Sequence, residues 1–284
     1  MGPMRTLWDV TSAVAKALSS QEPSISDPFS AAKRWVQEIM GLTPLEWACS
    51  LREACPSEPL VWKALKEHFE THKPLSRMQG SRFFWKHSFF INPWTLDPRP
   101  ESEGFIQLVL NQPILPQRIV DLGTGSGCLL ISLLHEIPNA MGLGIDVEPR
   151  VFPAAQKNAE TVGVTQRCAW LCSSWCVELP KTLHGTFDCI VSNPPYVAPH
   201  EALPQNVLIW DPPLALFAGQ DGLASYRALI PEMVPFLAPH GIVILEIGAM
   251  QGEAVSALLR AEAFSSIQIL QDLQGRNRYV MAHR

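Results

Sequence analysis

The Asn-Pro-Pro-Tyr segment at positions 193–196 is the part of the sequence best suited to carry out a reaction. It follows an apolar run at positions 187–191, so a buried strand would deliver it to the carboxyl edge of a sheet, where open α/β folds bind ligands. Two consecutive prolines fix the backbone and remove two N–H donors, which leaves carbonyl groups and the Asn193 side chain as hydrogen-bond acceptors. The alternative is a plain turn that ends the strand, because Asn-Pro dipeptides are common in turns.

Such acceptors support the attack of a poorly nucleophilic nitrogen on a methyl group. The lone pair of an amide or ring-bound NH2 group is delocalised, and acceptors on both N–H bonds stabilise the positive charge that develops on the nitrogen. They also hold the nitrogen in line with the group that leaves. We predict that Asn193 Oδ1 and the Pro194 carbonyl are these acceptors, and that Tyr196 walls the slot by packing on the flat face of the substrate.

A second motif, Asp-Leu-Gly-Thr-Gly-Ser-Gly at positions 121–127, predicts a ligand-binding loop between a strand and a helix. Its glycines would let the backbone approach a ligand, and the amides at the helix start would face that ligand. Asp146 follows the next apolar run, where a carboxylate can accept hydrogen bonds from ribose hydroxyls. The spacing differs from the G-x-G-x-x-G of nicotinamide enzymes, since Cys128 stands at the third glycine position. Asp121 would repel a pyrophosphate and suits a ligand with an ammonium and a sulfonium. The alternative is a tight turn without a ligand.

Periodic patterns divide the chain into three parts. Apolar residues recur at helical spacing up to about position 73, which predicts a small bundle of about four helices. Two aromatic runs at positions 83–91 predict a hairpin, and a turn-rich connector follows. From position 118 onward, apolar runs mostly alternate with helix-like stretches, which predicts a largely parallel sheet of seven strands between helices. We therefore predict a helical bundle at 1–76, a hairpin and connector at 77–98 and an α/β domain at 99–284.

The composition favours a globular protein in a reducing compartment. Charged residues make up 17% of the chain and the net charge is −5, so we expect no stable nucleic-acid partner. No apolar run approaches the ~20 residues that span a bilayer, and we see no secretory signal, so we expect a cytoplasmic protein without a membrane partner. We also expect a monomer. Cys168, Cys172 and Cys176 fit no zinc or iron–sulfur spacing, so we expect them in a buried strand and expect no metal site.

These motifs resemble those of the bacterial release-factor glutamine methyltransferases, the HemK/PrmC family. The match runs from about position 74 to the C-terminus, whereas the N-terminal helices fit only by position and helical character. Asn-Pro-Pro-Tyr is shared with DNA and RNA methylases. The connector Thr-Leu-Asp-Pro-Arg-Pro-Glu-Ser-Glu at 95–103 is more particular to this family and is similar to its T-L-I-P-R-P-E-T-E. The resemblance implies a Rossmann-like, seven-stranded class I methyltransferase domain with a small N-terminal helical bundle that docks the substrate.

The resemblance also implies a methyl donor, S-adenosylmethionine, and its product S-adenosylhomocysteine. The donor would be bound by the glycine loop, by the acid after the second strand, by a tryptophan after the third strand, by an acid of the connector and by the Asn-Pro-Pro-Tyr segment. These residues are Asp121, Leu122, Gly123, Thr124, Gly125, Asp146, Trp175, Glu103 and Asn193. Ser174 stands where the family usually has Asp, which implies a weaker contact with adenine.

The substrate implied by the resemblance is the glutamine in the Gly-Gly-Gln loop of class 1 peptide chain release factors. It would be methylated on the side-chain amide nitrogen, N5, and held by Asn193, Pro194, Pro195 and Tyr196, with Arg99 as a further contact. An interdomain salt bridge is the alternative role for Arg99 and for Glu103, whose carboxylate would otherwise meet the ammonium of the donor.

Other activities share parts of this pattern. A glutamine methyltransferase of a ribosomal protein would carry the same motifs, so only substrate tests separate it. An N6-adenine methyltransferase of DNA or RNA also uses Asn-Pro-Pro-Tyr, but it would need a basic face and, for a duplex, extrusion of the base. A degenerate cofactor-binding module would show damage in Asp121, Gly123, Asp146 or Asn193, and all four are intact.

Overall fold

The computed structural model describes residues 4–22 and 25–284, so residues 1–3, 23 and 24 of the predicted bundle lie outside the described residues. The chain divides into two compact units, Met1–Gln79 and Gly80–Arg284. The hairpin expected at 83–91 falls in the second unit. Within the described ranges, no helix is long and apolar enough to cross a bilayer.

The first unit is helical, as the spacing of its apolar residues predicts. Its described helices are α1 (Leu7–Gln21), α2 (Pro28–Met40), α3 (Pro44–Cys49), α4 (Glu58–Thr71) and α5 (Leu75–Gln79). Helix α1 starts at a reciprocal cap, in which the Thr6 side chain accepts from Asp9 N–H and the Asp9 carboxylate accepts from Thr6 N–H. Thr43 and Glu46 form the same cap before α3. Apolar side chains of α1, α2 and α4 fill the core of this unit.

The second unit opens with a hairpin followed by the connector. Strand β1 (Ser81–Phe84) pairs antiparallel with β2 (His87–Phe90), and Trp85 in the turn has a left-handed backbone with φ of 56°. Phe84 and Phe89 are buried and pack edge to face. The connector then leads into helix α6 (Gly104–Leu110).

Seven strands of the described chain form the central sheet of this unit. They are β3 (Arg118–Leu122), β4 (Met141–Asp146), β5 (Cys168–Cys172), β6 (Phe187–Ser192), β7 (Leu237–Glu246), β8 (Ser266–Gln271) and β9 (Asn277–His283). Their spatial order is β5-β4-β3-β6-β7-β9-β8. The first five strands in that order are parallel, and β9 runs antiparallel to β7 and β8. The predicted α/β fold with a largely parallel sheet of seven strands is confirmed.

Helices cover both faces of this sheet. They are α7 (Cys128–Glu136), α8 (Phe152–Val162), α9 (Gln205–Trp210), α10 (Ala224–Met233) and α11 (Gly252–Ala261). Successive strand residues alternate between two buried apolar clusters: Val191 and Ile244 belong to one, and Ile190 and Val243 to the other. Because neighbouring side chains of a strand point to opposite faces, the two clusters are the two covered faces.

The sheet positions the candidate site where the winding of the chain reverses, between β3 and β6. Asp121 lies near the carboxyl end of β3, Asp146 ends β4, Asn193 follows β6 and Glu246 ends β7. These strands are parallel, so their carboxyl ends meet at one edge of the sheet. Four polar side chains that are distant in sequence are thus brought to that edge.

The expectation that the three regularly spaced cysteines occupy a buried strand is wrong in one respect. Strand β5 is an edge strand, and Cys172 at its end is exposed, whereas Cys176 lies beyond the strand and is buried. The prediction failed because a short apolar run fits an edge strand as well as a central one. Across residues 4–22 and 25–284, no group of three or more His, Cys, Asp or Glu side chains could hold a metal ion.

Candidate active site

A cavity of about 590 Å³ lies at the carboxyl edge of the sheet. Its wall is built from the loop after β3, the segments after β4, β5 and β6, the connector and a proline-rich stretch after α9. Both sequence motifs therefore contribute to one concave site. Of the residues predicted from the sequence, those that line it are Arg99, Asp121, Gly123, Thr124, Gly125, Asp146, Trp175, Asn193 and Pro195.

The glycine loop turns sharply without placing bulky side chains in the cavity. Gly123 and Gly125 have φ values of 76° and 53°, in the left-handed region that glycine adopts without a steric penalty. The backbone N–H groups of Gly123 and Thr124 donate to the Ile145 carbonyl at 2.8 and 2.9 Å. These bonds fasten the loop to β4, so its backbone forms a fixed part of the cavity wall.

Asp121 is a buried carboxyl group in the wall of the cavity. The Thr124 hydroxyl donates to Asp121 Oδ2 at 2.7 Å. Burial raises the pKa of Asp121 to about 7; the bond from Thr124 opposes this rise and the charge of Asp146 adds to it. A positively charged group in the cavity would therefore stabilise the ionised form. Leu122 is fully buried and does not line the cavity.

Asp146 links the glycine loop to the end of β4. Its Oδ2 accepts from Gly125 N–H at 2.9 Å, and its Oδ1 accepts from Glu148 N–H at 3.0 Å. Burial raises the pKa of Asp146, and these two backbone bonds oppose the rise. Each carboxylate oxygen has a further lone pair, so Asp146 can also accept from two hydroxyls of a ligand. Glu148 lines the cavity too, but its carboxylate accepts from Arg150 Nε at 2.6 Å.

Trp175 supplies a flat apolar surface in the cavity wall. It follows β5 with a left-handed backbone, φ 47°, which is unusual for a bulky residue. Its ring is partly buried against the apolar cluster on one face of the sheet. Because that packing fixes the ring, Trp175 can stack on a planar ligand. Ser174 lines the cavity beside it.

Asn193 is the polar side chain that the Asn-Pro-Pro-Tyr segment brings to the cavity. Its Nδ2 donates to Ser102 Oγ at 3.2 Å. Among the described residues no hydrogen bond is made to its Oδ1, which is the end that can accept from a substrate. Pro195 also lines the cavity, whereas Pro194 is buried and does not. Of the two residues predicted to supply acceptors, Asn193 and Pro194, the structure therefore brings Asn193 to the cavity wall.

Tyr196 does not line the cavity, contrary to its predicted place as a wall of the slot. Its hydroxyl donates to Glu246 Oε1 at 3.3 Å and accepts from Arg278 Nη1 at 3.4 Å. Its ring packs against the apolar cluster on one face of the sheet. The physical reason is that a largely buried hydroxyl needs hydrogen-bond partners, and this carboxylate and guanidinium provide them.

The part of the connector at positions 95–103 places Arg99 in the cavity wall and Glu103 outside it. The Arg99 guanidinium pairs with Asp211, and both residues belong to the second unit, so this pair is not an interdomain salt bridge. Glu103 Oε1 accepts from Trp85 N–H at 2.8 Å. This bond fastens the hairpin turn, so the predicted contact between Glu103 and the ammonium of a donor is not supported by its position.

Sequence reasoning missed two features of the site. Ser102 lines the cavity and donates to Glu246 Oε2 at 2.6 Å. Glu246 could have been predicted from the sequence, because it is an acid that directly follows an apolar run, and the end of that run should reach the same edge of the sheet. Trp94 also lines the cavity, and the Arg150 guanidinium lies 3.3 Å from the centre of its ring. No sequence pattern connects these two residues.

The chain is similar to known methyltransferases. The family model described as Methyltransferase small domain matches residues 102–246. A release factor glutamine methyltransferase of Cereibacter sphaeroides is 38% identical over 91% of this chain and 92% of that protein. A second one, of Rhodospirillum rubrum, is 36% identical over 92% of this chain and 80% of that protein. The similarity therefore spans both the helical part and the sheet domain.

Solved structures share the fold at low sequence identity. The hMettl16 catalytic domain in complex with hairpin 1 of the MAT2A 3'UTR has a TM-score of 0.56 and 15% identity, over 95% of this chain and 90% of that one. A methyltransferase from Pyrococcus furiosus has a TM-score of 0.51 and 18% identity, over 69% of this chain and 88% of that one. At these identities the likeness shows the fold alone, and it confirms the predicted Rossmann-like, seven-stranded fold.

Proposed function

This chain belongs to the release factor glutamine methyltransferase family, and we propose that it methylates the glutamine side chain in the Gly-Gly-Gln loop of class 1 peptide chain release factors. The methyl group would come from S-adenosylmethionine and go to the amide nitrogen, N5, leaving S-adenosylhomocysteine. The observation that carries the proposal is the Asn193 side chain, which reaches a cavity shared with two acids and a tryptophan. Its NH2 end is bonded to Ser102, so its oxygen is the end that meets the substrate.

The chemistry of the cavity fits S-adenosylmethionine. Asp121 would hold the ammonium group, Asp146 the ribose hydroxyls, and Trp175 would stack on the adenine. The backbone at Gly123 leaves room beside the tryptophan, because even a β-carbon there would lie 4.0 Å from the Trp175 ring. When bound, the donor supplies a methyl group on a positively charged sulfur.

Asn193 would stabilise the positive charge that develops on the amide nitrogen of the substrate. An amide nitrogen shares its lone pair with the carbonyl group, and an acceptor on its N–H stabilises the positive charge that develops during attack. Two prolines after Asn193 restrict the backbone from which its side chain extends, and a fixed attachment point removes part of the entropic barrier. A strong general base is not required, because the methylated, protonated nitrogen is itself a strong acid.

Other parts of the chain would select the substrate. The Arg99 guanidinium has five N–H donors, more than its pair with Asp211 uses, so it can also donate to the substrate loop. The helical bundle predicted at 1–76 would dock the body of the release factor, since a glutamine at a loop tip needs remote contacts to be chosen. A cytoplasmic location and a monomeric state stay predictions.

The proposal is tested by mapping the modified residue. The purified enzyme is incubated with donor carrying a labelled methyl group and, in separate reactions, with a release factor, a ribosomal protein preparation and duplex DNA. We expect label on the release factor alone, at the Gly-Gly-Gln glutamine by mass spectrometry. A release factor with that glutamine changed to alanine is the matched control and should stay unlabelled. Label on the ribosomal protein or on adenine, with none on the release factor, would contradict the proposal.

A further inference from the structure

The orientation of the Asn193 amide decides whether it can assist methyl transfer. An asparagine side chain presents a carbonyl oxygen at one end and an NH2 group at the other, and only the oxygen accepts a hydrogen bond. If the amide were rotated by half a turn, a donor would face the substrate NH2 group and repel it. Something in the structure has to distinguish the two orientations.

Ser102 makes that distinction through its single hydroxyl hydrogen. Its Oγ lies 2.6 Å from Glu246 Oε2 and 3.2 Å from Asn193 Nδ2. The Ser102 hydroxyl donates its hydrogen to Glu246 Oε2, so that hydrogen is not available to Asn193. The lone pairs of Oγ then face Asn193, and they attract its NH2 end and repel its oxygen. We call these two hydrogen bonds, from Ser102 to Glu246 and from Asn193 to Ser102, the relay. The relay turns Asn193 Oδ1 toward the cavity.

Burial and a second hydrogen bond fix the position of the Glu246 carboxyl group, where the relay ends. Glu246 is 2% exposed, and its Oε1 accepts from the Tyr196 hydroxyl at 3.3 Å. Burial raises the pKa of Glu246 and so does the charge of Glu101, while the Ser102 and Tyr196 hydroxyls and the Arg278 guanidinium oppose the rise. The relay rests on the geometry of the carboxyl group, because each of its two oxygens accepts from one hydroxyl, that of Ser102 or that of Tyr196.

The connector fixes the position of Ser102. The Tyr279 hydroxyl donates to the carbonyl of Glu101, the residue before Ser102. Any side chain at Gly104 would overlap the Tyr279 ring, so glycine is needed for this close approach. Ser102 itself is 6% exposed. Its hydroxyl thus has little freedom to turn to other partners.

We propose that Ser102 and Glu246 are positioning residues that set the orientation of the Asn193 amide, so that Oδ1 accepts from the substrate nitrogen. The inference rests on the proposed function for its effect on rate, but the orientation itself is measurable without a substrate. Neither residue touches the reacting atoms in this account; both act through Asn193.

The kinetic test compares Ser102→Ala with Ser102→Thr, which retains the hydroxyl. A misplaced catalytic group can slow a reaction by on the order of a hundredfold, so we expect kcat of Ser102→Ala on the release factor to fall about ten- to a hundredfold. Donor Kd by calorimetry should stay within about twofold, and Ser102→Thr should recover most of the rate. Glu246→Gln should lower kcat similarly, and the double variant with Ser102→Ala should be little worse than either single variant.

The matched control is Ser132→Ala. Ser132 is fully buried in α7, and no hydrogen bond to its hydroxyl is made within the described residues. It has no connection with Asn193, so the same loss of a buried hydroxyl should leave kcat unchanged. A fall in kcat and donor affinity together in Ser102→Ala would show general damage to the site and overturn the proposal. An unchanged kcat would overturn it too, as would a defect in Ser102→Thr equal to that of Ser102→Ala.

A second measurement separates this inference from the proposed function. Asparagine labelled with nitrogen-15 reports side-chain NH2 groups by NMR, and Asn193→Ala identifies the resonances of that residue. We expect Ser102→Ala, but not Ser132→Ala, to shift the Asn193 NH2 resonances and speed their exchange with solvent. If they are unchanged in Ser102→Ala, the relay is wrong whatever the enzyme methylates. If they shift while the wild type leaves release factor unmodified, the relay stands and the proposed function fails.

Discussion

Replacing Asp121 by asparagine should stabilise the ligand-free enzyme and at the same time impair binding of the donor. Asp121 is 2% exposed and carries a carboxyl group whose pKa is raised to about 7, chiefly by burial. Asparagine has the same shape and no charge. Its oxygen can still accept the hydrogen bond that Thr124 donates at 2.7 Å. The substitution therefore removes a poorly solvated charge and keeps the local contact.

The magnitude follows from the difference between the folded pKa, about 7, and the ordinary value of 3.8. At about 1.4 kcal/mol per pH unit, this difference corresponds to roughly 4 kcal/mol. The folded carboxyl keeps a proton that the unfolded chain has already lost, so the wild-type free energy of unfolding falls as pH rises from 3.8 to about 7. The asparagine variant has no titrating group at this position and so lacks this dependence. The free energy of unfolding of the variant, relative to that of the wild type, should therefore grow by about 2 kcal/mol between pH 5 and pH 7 and level off above.

Urea unfolding of both ligand-free proteins from pH 5 to pH 8 measures this difference directly. Donor binding by calorimetry gives the second half of the prediction. The ammonium of the donor would pair with ionised Asp121, so wild-type affinity should fall by up to about tenfold per pH unit below pH 7, while the variant should bind weakly and show little change over that range. A stability difference that is constant with pH would refute the reasoning, because Asp121 would then not titrate near neutral pH in the fold.

Two further substitutions test the donor site, and both are read by calorimetry with S-adenosylmethionine. Asp146→Ala removes the acceptor of the ribose hydroxyls and of Gly125 N–H; loss of hydrogen bonds to a charged group costs roughly 1.5–3 kcal/mol, so we expect Kd to rise about ten- to a hundredfold. Unchanged binding would remove Asp146 from the site. Trp175→Ala should weaken binding about tenfold, since stacking on a base contributes roughly 1–3 kcal/mol. An equal loss of affinity for a donor analogue without adenine would show that the ring does not stack.

The parts of the site that could be predicted from sequence are those in which one local pattern carries both structure and chemistry. The loop after β3 has glycines at positions that need left-handed φ values, so its sharp turn was readable from residue types alone. Asn193 was readable because an apolar strand precedes it and prolines follow. Asp146 was found from its distance to the loop, which the βαβ unit fixes.

The parts that were missed depend on partners far away in the chain. Tyr196 was expected in the cavity wall, but Glu246, 50 residues later, accepts its hydroxyl hydrogen. Glu103 was expected at the donor, but a left-handed turn at Trp85 directs a backbone N–H to its carboxylate. A sequence pattern shows which residues can bond, whereas the fold decides which partner each of them reaches.

The rate of methyl transfer by Asn193→Ala in a single turnover tests the central claim most directly. With enzyme in excess over release factor and donor saturating, the assay isolates transfer from product release. We predict a fall of about 10²–10³-fold, the usual loss when one acceptor or donor that stabilises developing charge is removed. Donor Kd should stay close to that of the wild type. Transfer at the wild-type rate would contradict the account, because the oxygen of Asn193 would then not support the reacting nitrogen.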